Sequence, residues 1–403
     1  MNAVGVDVSK GKSTVAILRP QGLVVASPYD VSHTGSDLKE LATAIKKLHG
    51  ETRVVMEATG NYYEPIARFL HEQGLFVSVV NPMLISDFGG NTLRRPKTDK
   101  KDAVKLALYA LTYWLDLKRY EPQEDLRKSL KMLNRQYQFA VKQQTMLNNN
   151  LISQLDLTFP GINRLFTSPA KAQDGHLKWV DFVSEFPHCD CVAKLSPGIF
   201  KKKYRRWCEK NGYHYRSSKA DEIHAFAREA VSAVPASDAI TLIIRQAASM
   251  LNAALENTTT LHYEMKRIAE MLPEYETVMS MYGVGDKTGP QLMAEIGDPR
   301  RFHSRRAITA YFGYDSENDD SGQKVSKSNP ITKRGTSALR RTLFLIMIAL
   351  IQNQPEDNPV YQFLNKKRSE GKHYYCYMTA AANKFLRIYY AKVNEVLNAQ
   401  PSG

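Results

Sequence analysis

The chain has 403 residues and carries 55 lysines and arginines against 41 aspartates and glutamates, which gives a net charge of +14 and a pI near 9.4. This length suits two or three domains, and the excess positive charge favours a polyanionic partner. No run reaches the ~18 apolar residues of a membrane span, the start lacks a signal-peptide layout, and four cysteines are too few for a secreted disulfide scaffold. We therefore expect a cytoplasmic protein without a membrane partner.

Residues 1 to about 118 alternate predicted strands with predicted helices. Alternating apolar runs at 4–8 and 13–18 predict a hairpin, and a third strand is predicted near 23–26. The pattern continues as helix, strand, helix and strand, at 37–48, 54–57, 64–73 and 76–80. Three antiparallel strands followed by alternating helices and strands predict an α/β domain with a mixed sheet of the ribonuclease-H type.

Four carboxylates in this region point to a nuclease-type site. Asp7 lies inside the first apolar run and Glu57 ends a later one, while Asp99 and Asp102 are three residues apart at the start of a helical pattern and so share one helix face. Acids within apolar strands are costly to bury unless they are paired or bind a metal. Carboxylate oxygens suit Mg²⁺, and two such ions can clamp both oxygens of a phosphodiester displacement.

Two long runs of heptad-like apolar spacing follow, in segments 119–158 and 237–272, with Gln144 and Thr258 as polar interruptions. Several heptads apiece predict a coiled coil, formed either between these two helices or between protomers. Ordinary core helices of a bundle are the alternative for each run taken singly. The length of both runs favours an extended antiparallel stalk.

A small helical insertion is predicted between the two runs, at 159–236. It contains a basic stretch interleaved with Tyr204 and Trp207, a pattern that suits phosphate contact plus base stacking, or simply a solvated charged face. The cations of this stretch are Lys201, Lys202, Lys203, Arg205 and Arg206. Nearby are possible zinc ligands whose spacing matches no standard finger, so zinc is not expected: His188, Cys189, Cys191, Cys208 and His214.

Residues 273–403 form a further, mostly helical domain. Its glycine-rich turn, with Gly283, Gly285 and Lys287, resembles the helix–hairpin–helix way of holding a DNA backbone. Two glycines in a turn are also common for structural reasons alone.

A polar loop in the same domain contains Ser321 followed by Gly322. From Ser321 to Arg341 there are six basic residues and no acid: Lys324, Lys327, Lys333, Arg334, Arg340 and Arg341. A hydroxyl in a cationic field is what a serine nucleophile attacking a phosphodiester needs. A loop serine is ordinarily only structural, and Ser316, Ser326 and Ser328 compete for the role.

Several motifs together resemble the DEDD insertion-sequence transposases, a family of bridge-RNA-guided recombinases with a RuvC-like nuclease domain. The N-terminal matches surround Asp7 (residues 4–10), Glu57 (56–65) and Asp99 with Asp102 (97–103). The C-terminal matches are the glycine-rich turn and segments 310–314, 321–322 and 331–335, which resemble the serine-bearing transposase domain of that family. The chain departs from the family at Asp315-Ser316, where a proline is usual, and in its long insertion.

The resemblance implies a transposase that excises and inserts a mobile element in a bacterial or archaeal nucleoid. It implies that Asp7, Glu57, Asp99 and Asp102 hold Mg²⁺, or Mn²⁺ in its place, and that Ser321 attacks the scissile phosphate and carries a covalent link to DNA. A structured non-coding guide RNA would pair with both donor and target double-stranded DNA. Composite sites shared between subunits imply a homo-oligomer, a dimer or tetramer.

The predicted nucleic-acid contacts combine cations and turn residues from all three regions. They are Arg94, Arg95 and Lys97; Lys201, Lys202, Lys203, Arg205 and Arg206; and Gly283, Gly285, Lys287, Lys324, Lys333, Arg334, Arg340 and Arg341.

Two other functions compete with the recombinase. A hydrolytic RuvC-like endonuclease, such as a Holliday-junction resolvase, shares the acids but has no use for Ser321. A non-catalytic nucleic-acid-binding protein would leave the strand acids without a metal, which is destabilising. A covalent protein–DNA adduct that depends on Ser321 separates the recombinase from the hydrolytic nuclease.

Overall fold

The computed structural model describes residues 1–88, 98–122, 124–315 and 331–399, together with the backbone of 320–321 and 324–325. The chain divides into two compact units, Met1–Gln123 and Glu124–Gly403. Within the described ranges no helix is long and apolar enough to cross a membrane.

The N-terminal unit is built on a five-stranded mixed sheet with the order β3-β2-β1-β4-β5. Its strands are β1 (Asn2–Val8), β2 (Lys12–Arg19), β3 (Leu23–Ser32), β4 (Thr52–Glu57) and β5 (Phe76–Val80). The first three strands are antiparallel, whereas β4 pairs in parallel with both β1 and β5. The predicted ribonuclease-H-type sheet is therefore confirmed. The predicted end of the third strand was wrong: β3 continues to Ser32, across register shifts opposite Ile17.

Helices cover both faces of this sheet. They are α1 (Gly35–Lys46), α2 (Tyr63–Glu72), α3 (Pro82–Phe88) and α4 (Asp99–Thr112). One core packs Leu38 of α1 and Ile66 of α2 against Val6 and Met56 of the sheet. The opposite core packs Leu106 of α4 against Val55 and other strand residues. The alternation of side chains along β1 and β4 thus supplies two different hydrophobic surfaces.

Gly5 allows α4 to lie directly on β1. A Cβ atom at this position would lie 2.0 Å from the Ala103 carbonyl oxygen and 2.5 Å from the Ala107 amide nitrogen. The helix and strand backbones therefore touch, and no other residue type fits without moving one of them.

Two long helices, α5 (Asp125–Thr158) and α10 (Asp238–Glu270), pack against each other in the C-terminal unit. They are antiparallel, because Leu130 near the start of α5 shares a core with Ile268 near the end of α10, while Leu155 shares another with Ile244. The two polar interruptions of the heptad runs meet: the Thr258 hydroxyl donates to Gln144 Oε1 at 3.1 Å. Of the two coiled-coil arrangements considered, the structure shows the pairing within one chain.

The segment between the two long helices is helical, with α6 (Lys178–Glu185), α7 (Asp190–Ala193), α8 (Pro197–Lys210) and α9 (Ser217–Glu229). It packs around an aromatic core that includes Phe182, Phe200, Tyr204 and Trp207 and that also receives Leu151 and Leu155 of α5.

The rest of the unit is mostly helical. Its elements are α11 (Tyr275–Met279), α12 (Thr288–Ile296), α13 (Arg305–Tyr311), β6 (Asp320–Ser321), β7 (Lys324–Val325), α14 (Ser337–Asn353), α15 (Pro359–Ser369) and α16 (Tyr374–Ala399). Short 3₁₀ turns lie at Pro20–Gly22, Trp114–Asp116, Ile162–Leu165 and Pro299–Arg301.

Buried polar contacts join α5 to this helical region. Arg127 of α5 forms a two-pronged ion pair with Glu274, and both side chains are almost completely buried. Glu295 of α12, also buried, accepts hydrogen bonds from Asn134 (2.7 Å), Arg135 (3.0 Å) and Thr336 (2.8 Å). Every buried charge named here has a partner, as burial requires.

Candidate active site

Two neighbouring parallel strands place Asp7 and Glu57 side by side. Val6 is registered with Met56, so the next residues along β1 and β4 are Asp7 and Glu57. By strand alternation Asp7 shares a face with Gly5, and Glu57 shares a face with Val55. Gly5 contacts the backbone of α4, and Val55 lies in the hydrophobic core beneath α4. Both acids therefore lie on the sheet face that α4 covers. Both side chains are half-buried.

The N-terminal end of α4 lies at the same end of the sheet. The hydrogen bond to Asp30 and the charge of Asp30 raise the pKa of Lys12, which begins β2 beside the end of β1, and the charge of Asp99 adds to this effect. At the opposite end, Arg53 near the start of β4 donates to the carbonyl of Trp114, just after α4. The helix therefore runs antiparallel to β1, and its first turn faces the strand ends.

The first turn of α4 contains both remaining acids. Asp102 is half-buried and directly precedes Ala103, the residue in backbone contact with Gly5, whereas Asp99 is exposed. The positive end of the helix dipole favours carboxylates at these positions. Gly5, through close packing, thus determines how α4 carries Asp102 to the end of the sheet.

Local hydrogen bonds fix the carboxylate of Glu57. The Thr59 hydroxyl donates to Glu57 Oε1 at 3.1 Å, and the Ala58 amide donates to the Val80 carbonyl at 2.9 Å, which ties the end of β4 to β5. The donor chemistry fits a hard divalent cation, because all four candidates offer carboxylate oxygens. No three of these acids have their oxygens within 4.8 Å of one another; among the described residues that condition is met by His188, Cys189 and Asp190.

Sequence reasoning missed a polar row beside Asp7. Asp7 is registered with Thr14, and Thr14 with Asp30 of β3. The pKa of the Asp30 carboxyl is lowered by hydrogen bonds from the Thr14 hydroxyl, at 2.7 Å, and from Lys12, at 3.0 Å. Little in the sequence signals this row, because β2 begins with three consecutive polar residues, at 12–14, rather than with an alternating pattern. Only the register shows that Asp30 lies in the same row.

Ser321 lies in a small hairpin. Its backbone pairs with Lys324, and Asp320 pairs with Val325 in the antiparallel ladder of β6 and β7. Gly322 lies outside the described residues, as do Lys327 and the competing serines, which are Ser316, Ser326 and Ser328.

The basic segment 331–335 is held tightly against the end of α13. The Thr332 hydroxyl donates to Asp315 at 2.6 Å, and the Thr332 amide donates to the Asp315 carbonyl. Gly313 and Gly335 both have positive φ, and a Cβ at either would lie within 2.6 Å of backbone across the contact. This explains the glycines in both motifs, and it leaves Lys333 and Arg334 exposed.

Two further cations of this domain make structural contacts. Arg340 Nη1 donates to the carbonyls of Phe312, Lys333 and Gly335 at 3.1–3.3 Å, and Arg341 donates to Gln138 of α5 at 3.2 Å. Arg340 therefore holds the basic segment in place. The predicted contact of both residues with nucleic acid stays a prediction.

The glycine-rich turn between α11 and α12 divides into a packed part and an exposed part. Gly283 has φ +82°, and a Cβ there would lie 2.8 Å from the Ile346 carbonyl of α14. Gly285 is exposed but donates its amide to the Thr288 hydroxyl at 2.8 Å. Lys287 is exposed. Gly283 thus has a packing role, and a backbone contact to phosphate at this turn stays a prediction.

The basic stretch on α8 is partly exposed. Lys202, Lys203 and Arg206 are exposed, Lys201 pairs with Asp221 at 2.8 Å, and Arg205 lies over the Tyr215 ring. Tyr204 and Trp207 are 0% and 6% exposed. Base stacking by these two rings was therefore a wrong prediction: the interleaved aromatics are the apolar face of an amphipathic helix.

The histidine and cysteine residues of the insertion have other roles. The His188 ring bonds to the Val234 carbonyl through Nε2 and accepts from the Asp190 amide through Nδ1, so both nitrogens are engaged. Burial raises the pKa of the Cys189 and Cys208 thiols, which disfavours the thiolate that zinc needs. These contacts do not favour a zinc site at His188, Cys189 and Asp190.

Arg94, Arg95 and Lys97, the predicted contacts preceding α4, lie outside the described residues. The other members of the predicted nucleic-acid set are distributed over α8, the α11–α12 turn and the segment around 324–341.

Comparison with known proteins gives two family matches that together span both units of the chain. A DEDD transposase family model of the IS110 group matches residues 4–160, and a second model, described as the IS116/IS110/IS902 family of transposases, matches residues 275–362. The pilin gene-inverting protein of Moraxella lacunata is 24% identical over 359 residues, 88% of this chain and 85% of that protein. An uncharacterized 43.6 kDa protein of insertion element IS110 from Streptomyces coelicolor is 23% identical over 280 residues, 68% of this chain and 65% of that protein.

Among solved structures, Thermus thermophilus RuvC is similar, with a TM-score of 0.23 and 14% identity over 30% of this chain and 100% of that protein. The same protein in complex with a Holliday junction substrate matches with a TM-score of 0.23 and 12% identity, over 30% of this chain and 99% of that protein.

The two family matches define a transposase, an enzyme that cleaves and recombines DNA. The chain belongs to the IS116/IS110/IS902 family, in its DEDD, IS110-type group. The resemblance read from the motifs is thereby confirmed. DNA is the substrate of such an enzyme, and nuclease folds of this type generally use divalent metals.

Proposed function

We propose that this transposase exchanges DNA strands with two chemical centres: the acids of the N-terminal unit and Ser321 of the C-terminal unit. The observation that carries the proposal is the placement of Asp7, Glu57 and Asp102 at one end of the sheet, on the face covered by α4. A hydrolytic nuclease would need the acids alone. The second family match and the cationic segment around Ser321 favour the recombinase.

The acids would hold Mg²⁺, or Mn²⁺ in its place, with Asp99 as the most exposed of the four. Such ions, when bound, stabilise charge on the attacking and leaving oxygens of a phosphodiester. Thr59 orients the Glu57 carboxylate, and Asp102 lies in the first turn of α4, at the positive end of the helix dipole. Lys12 and Asp30 neutralise each other beside this site.

Ser321 would act as the nucleophile. Its hydroxyl oxygen forms an ester bond to the scissile phosphorus as the bond from phosphorus to one strand end breaks, and that strand end leaves as a hydroxyl. The hydroxyl of the partner strand then attacks the same phosphorus and releases Ser321. Two transesterifications conserve the number of phosphodiester bonds, so no ATP is needed. Lys324, whose backbone pairs with that of Ser321, and the exposed Lys333 and Arg334 are the cations expected to stabilise the transition state.

We further propose a homo-oligomer, a dimer or tetramer, joined through the paired long helices. Met132, Phe139 and Met146 recur every seven residues along α5 and are 65%, 54% and 71% exposed, so this heptad stripe is not covered by α10. Stripes of this period are the usual contact of a further helix. Light scattering that shows a monomer with DNA bound contradicts this assembly.

A structured non-coding RNA would guide the enzyme to donor and target DNA. The net charge of +14 supports a polyanionic partner beyond the cleaved strand. We expect RNA to copurify with the protein, and we expect recombination to stop after RNase treatment and return when the RNA is added back. Undiminished recombination by RNA-free protein contradicts the guide.

The central experiment incubates the full-length protein with RNA and labelled DNA, and it separates the products on a denaturing gel. Ser321→Ala should abolish the covalent adduct, whereas Ser326→Ala and Ser328→Ala should retain it. Asp102→Asn should abolish cleavage while leaving DNA binding intact, and Asp116→Asn, near the opposite end of α4, should cleave normally. An adduct in Ser321→Ala places the nucleophile elsewhere. Cleavage without any adduct in the wild type favours the hydrolytic nuclease.

A further inference from the structure

The turn between α15 and α16, residues 366–375, exposes aromatic side chains; we call it the α15–α16 corner. α15 ends at Ser369 and α16 begins at Tyr374, and Gly371, with φ +72°, allows the reversal. Tyr374 is 40% exposed and Tyr375 is 63% exposed. Large exposed rings are costly in water and commonly mark a binding surface.

The exposed rings support one another. The Tyr375 ring lies 5.8 Å from that of His373, with an interplanar angle of 30°, and 5.3 Å from that of Tyr374 in an edge contact. Phe344 of α14 lies 6.0 Å from Tyr375 and Tyr377 lies 5.4 Å from Tyr374. These contacts hold the tyrosines in place before any ligand arrives, which lowers the entropy cost of binding.

The corner is also strongly basic. Its four cations are Lys366, Lys367, Arg368 and Lys372, and its one carboxylate is Glu370. Glu370 is paired with Lys367 at 2.7 Å, which lowers the pKa of the carboxyl. Lys366, Arg368 and Lys372 are exposed in the same turn.

Positive charge continues along the groove between the same two helices. Lys384 and Arg387 line a cavity of about 400 Å³ together with Phe363, Ala380 and Asn383. Lys384 lies 4.9 Å from the Phe363 ring centre, and Lys367 of the corner lies 5.8 Å from it. A cationic track therefore leads away from the exposed tyrosines.

This combination differs from the basic helix α8, where the cations are exposed but Tyr204 and Trp207 are buried. A duplex presents phosphates but keeps its bases stacked inside, so exposed cations suffice to bind it. Exposed rings beside cations suit an unpaired strand, whose bases stack on aromatic faces while its phosphates meet the cations.

We propose that the α15–α16 corner binds an unpaired DNA strand, with bases stacked on Tyr374 and Tyr375 and phosphates held by Lys366, Arg368 and Lys372. The proposal rests on the strand exchange proposed above, because exchange between duplexes frees a strand from its partner. The surface holds that strand without reading its sequence, since every base has a face that stacks.

The test measures fluorescence anisotropy of a labelled 20-nucleotide single strand with the full-length protein in EDTA. Tyr374→Ala combined with Tyr375→Ala should weaken binding about tenfold or more. Tyr263→Ala, at a tyrosine on α10 that is 52% exposed, should leave binding unchanged, and Tyr375→Phe should retain binding because the ring remains. The affinity of the double variant for a duplex of the same length should fall by less than about twofold.

A second comparison, between two lysine variants, tests the contribution of charge. Lys372→Ala should weaken binding and reduce its salt dependence. Lys392→Ala should do neither, because Lys392 lies about 27 Å along α16 from Tyr374. Unchanged single-strand binding by the tyrosine double variant overturns the proposal, and so does equal loss for the duplex. If the double variant loses affinity for single-stranded RNA but not for single-stranded DNA, the bound strand is RNA, and this result also overturns the proposal. Because the assay needs neither the acids nor Ser321, its failure is distinct from failure of the proposed chemistry.

Discussion

The two units hold their functional segments by different physical means. In the N-terminal unit α4 rests on β1 through backbone contact at Gly5, and apolar packing carries Asp102 to the strand ends. In the C-terminal unit buried charges and hydrogen bonds at Glu274 and Glu295 connect α5 to the elements around the basic segment. The first arrangement is sensitive to added volume, and the second to lost charge.

Each arrangement has a predictable weakness. A packed backbone contact has no space for a methyl group, so an addition there forces helix and strand apart. A buried ion pair tolerates small changes of volume but leaves an uncompensated charge when one partner is neutralised. Substitutions chosen by these two criteria should therefore disturb one unit and spare the other.

The largest effect is expected for Gly5→Ala. The new Cβ would lie 2.0 Å from the Ala103 carbonyl oxygen, so α4 must move, and we expect a loss of about 3 kcal/mol or more in the N-terminal unit. Hydrogen exchange should rise in β1 and α4, and strand cleavage should fall because Asp102 moves with the helix. Gly35→Ala, where a Cβ meets nothing within 4 Å, is the matched control. Normal protection of α4 in Gly5→Ala contradicts the close-packing account.

The next effect concerns Glu274→Gln in the C-terminal unit. The neutral amide removes the buried carboxylate that pairs with the Arg127 guanidinium and leaves only the weaker influence of Asp298 and of the exposed Glu124, so we expect a cost of about 3 kcal/mol. Hydrogen exchange should increase at the start of α5 and in α11, with β1 and α4 unchanged. Glu276→Gln, at an exposed acid on α11 two residues away, should have no measurable effect. A loss of protection in β1 would mean that the two mechanisms are not separate.

The smallest effect is expected for Thr332→Val. This change removes the hydroxyl that donates to Asp315 at 2.6 Å but keeps the side-chain volume, and we expect a cost of about 1 kcal/mol. Exchange should rise in 331–336 alone, and recombination should fall because Lys333 is less well held. Thr277→Val, on α11, is a control threonine of intermediate exposure. Equal effects of the two variants would show that the Asp315 contact does not matter.

Local sequence patterns were sufficient to predict the sheet and the placement of the acids. Alternation in β1 and β4 and the three-residue spacing of Asp99 and Asp102 are properties of neighbouring residues, and they placed all four acids on the correct elements. The predicted strands and helices of the N-terminal unit matched to within a few residues, apart from the underestimated β3, whereas the short helix α3 was not predicted.

Long-range pairing explains what the sequence did not predict. Asp30 joins the row of Asp7 only through the register of three strands, and the burial of Tyr204 and Trp207 depends on which face of α8 meets the core. Charge counts cannot distinguish a cation that faces solvent from one that, like Arg340, donates to backbone carbonyls of its own domain. The same limit hid the exposed tyrosines at positions 374 and 375.

The contact between Gln144 and Thr258 determines the axial alignment of α5 and α10. Sliding α5 by one heptad along α10, about 10 Å, would preserve the heptad spacing of apolar residues but break the hydrogen bond between these two polar groups. One hydrogen bond thus selects a single alignment among several of similar packing energy. The helix pair consequently fixes the distance between the insertion at one end and the helical region that follows α10 at the other.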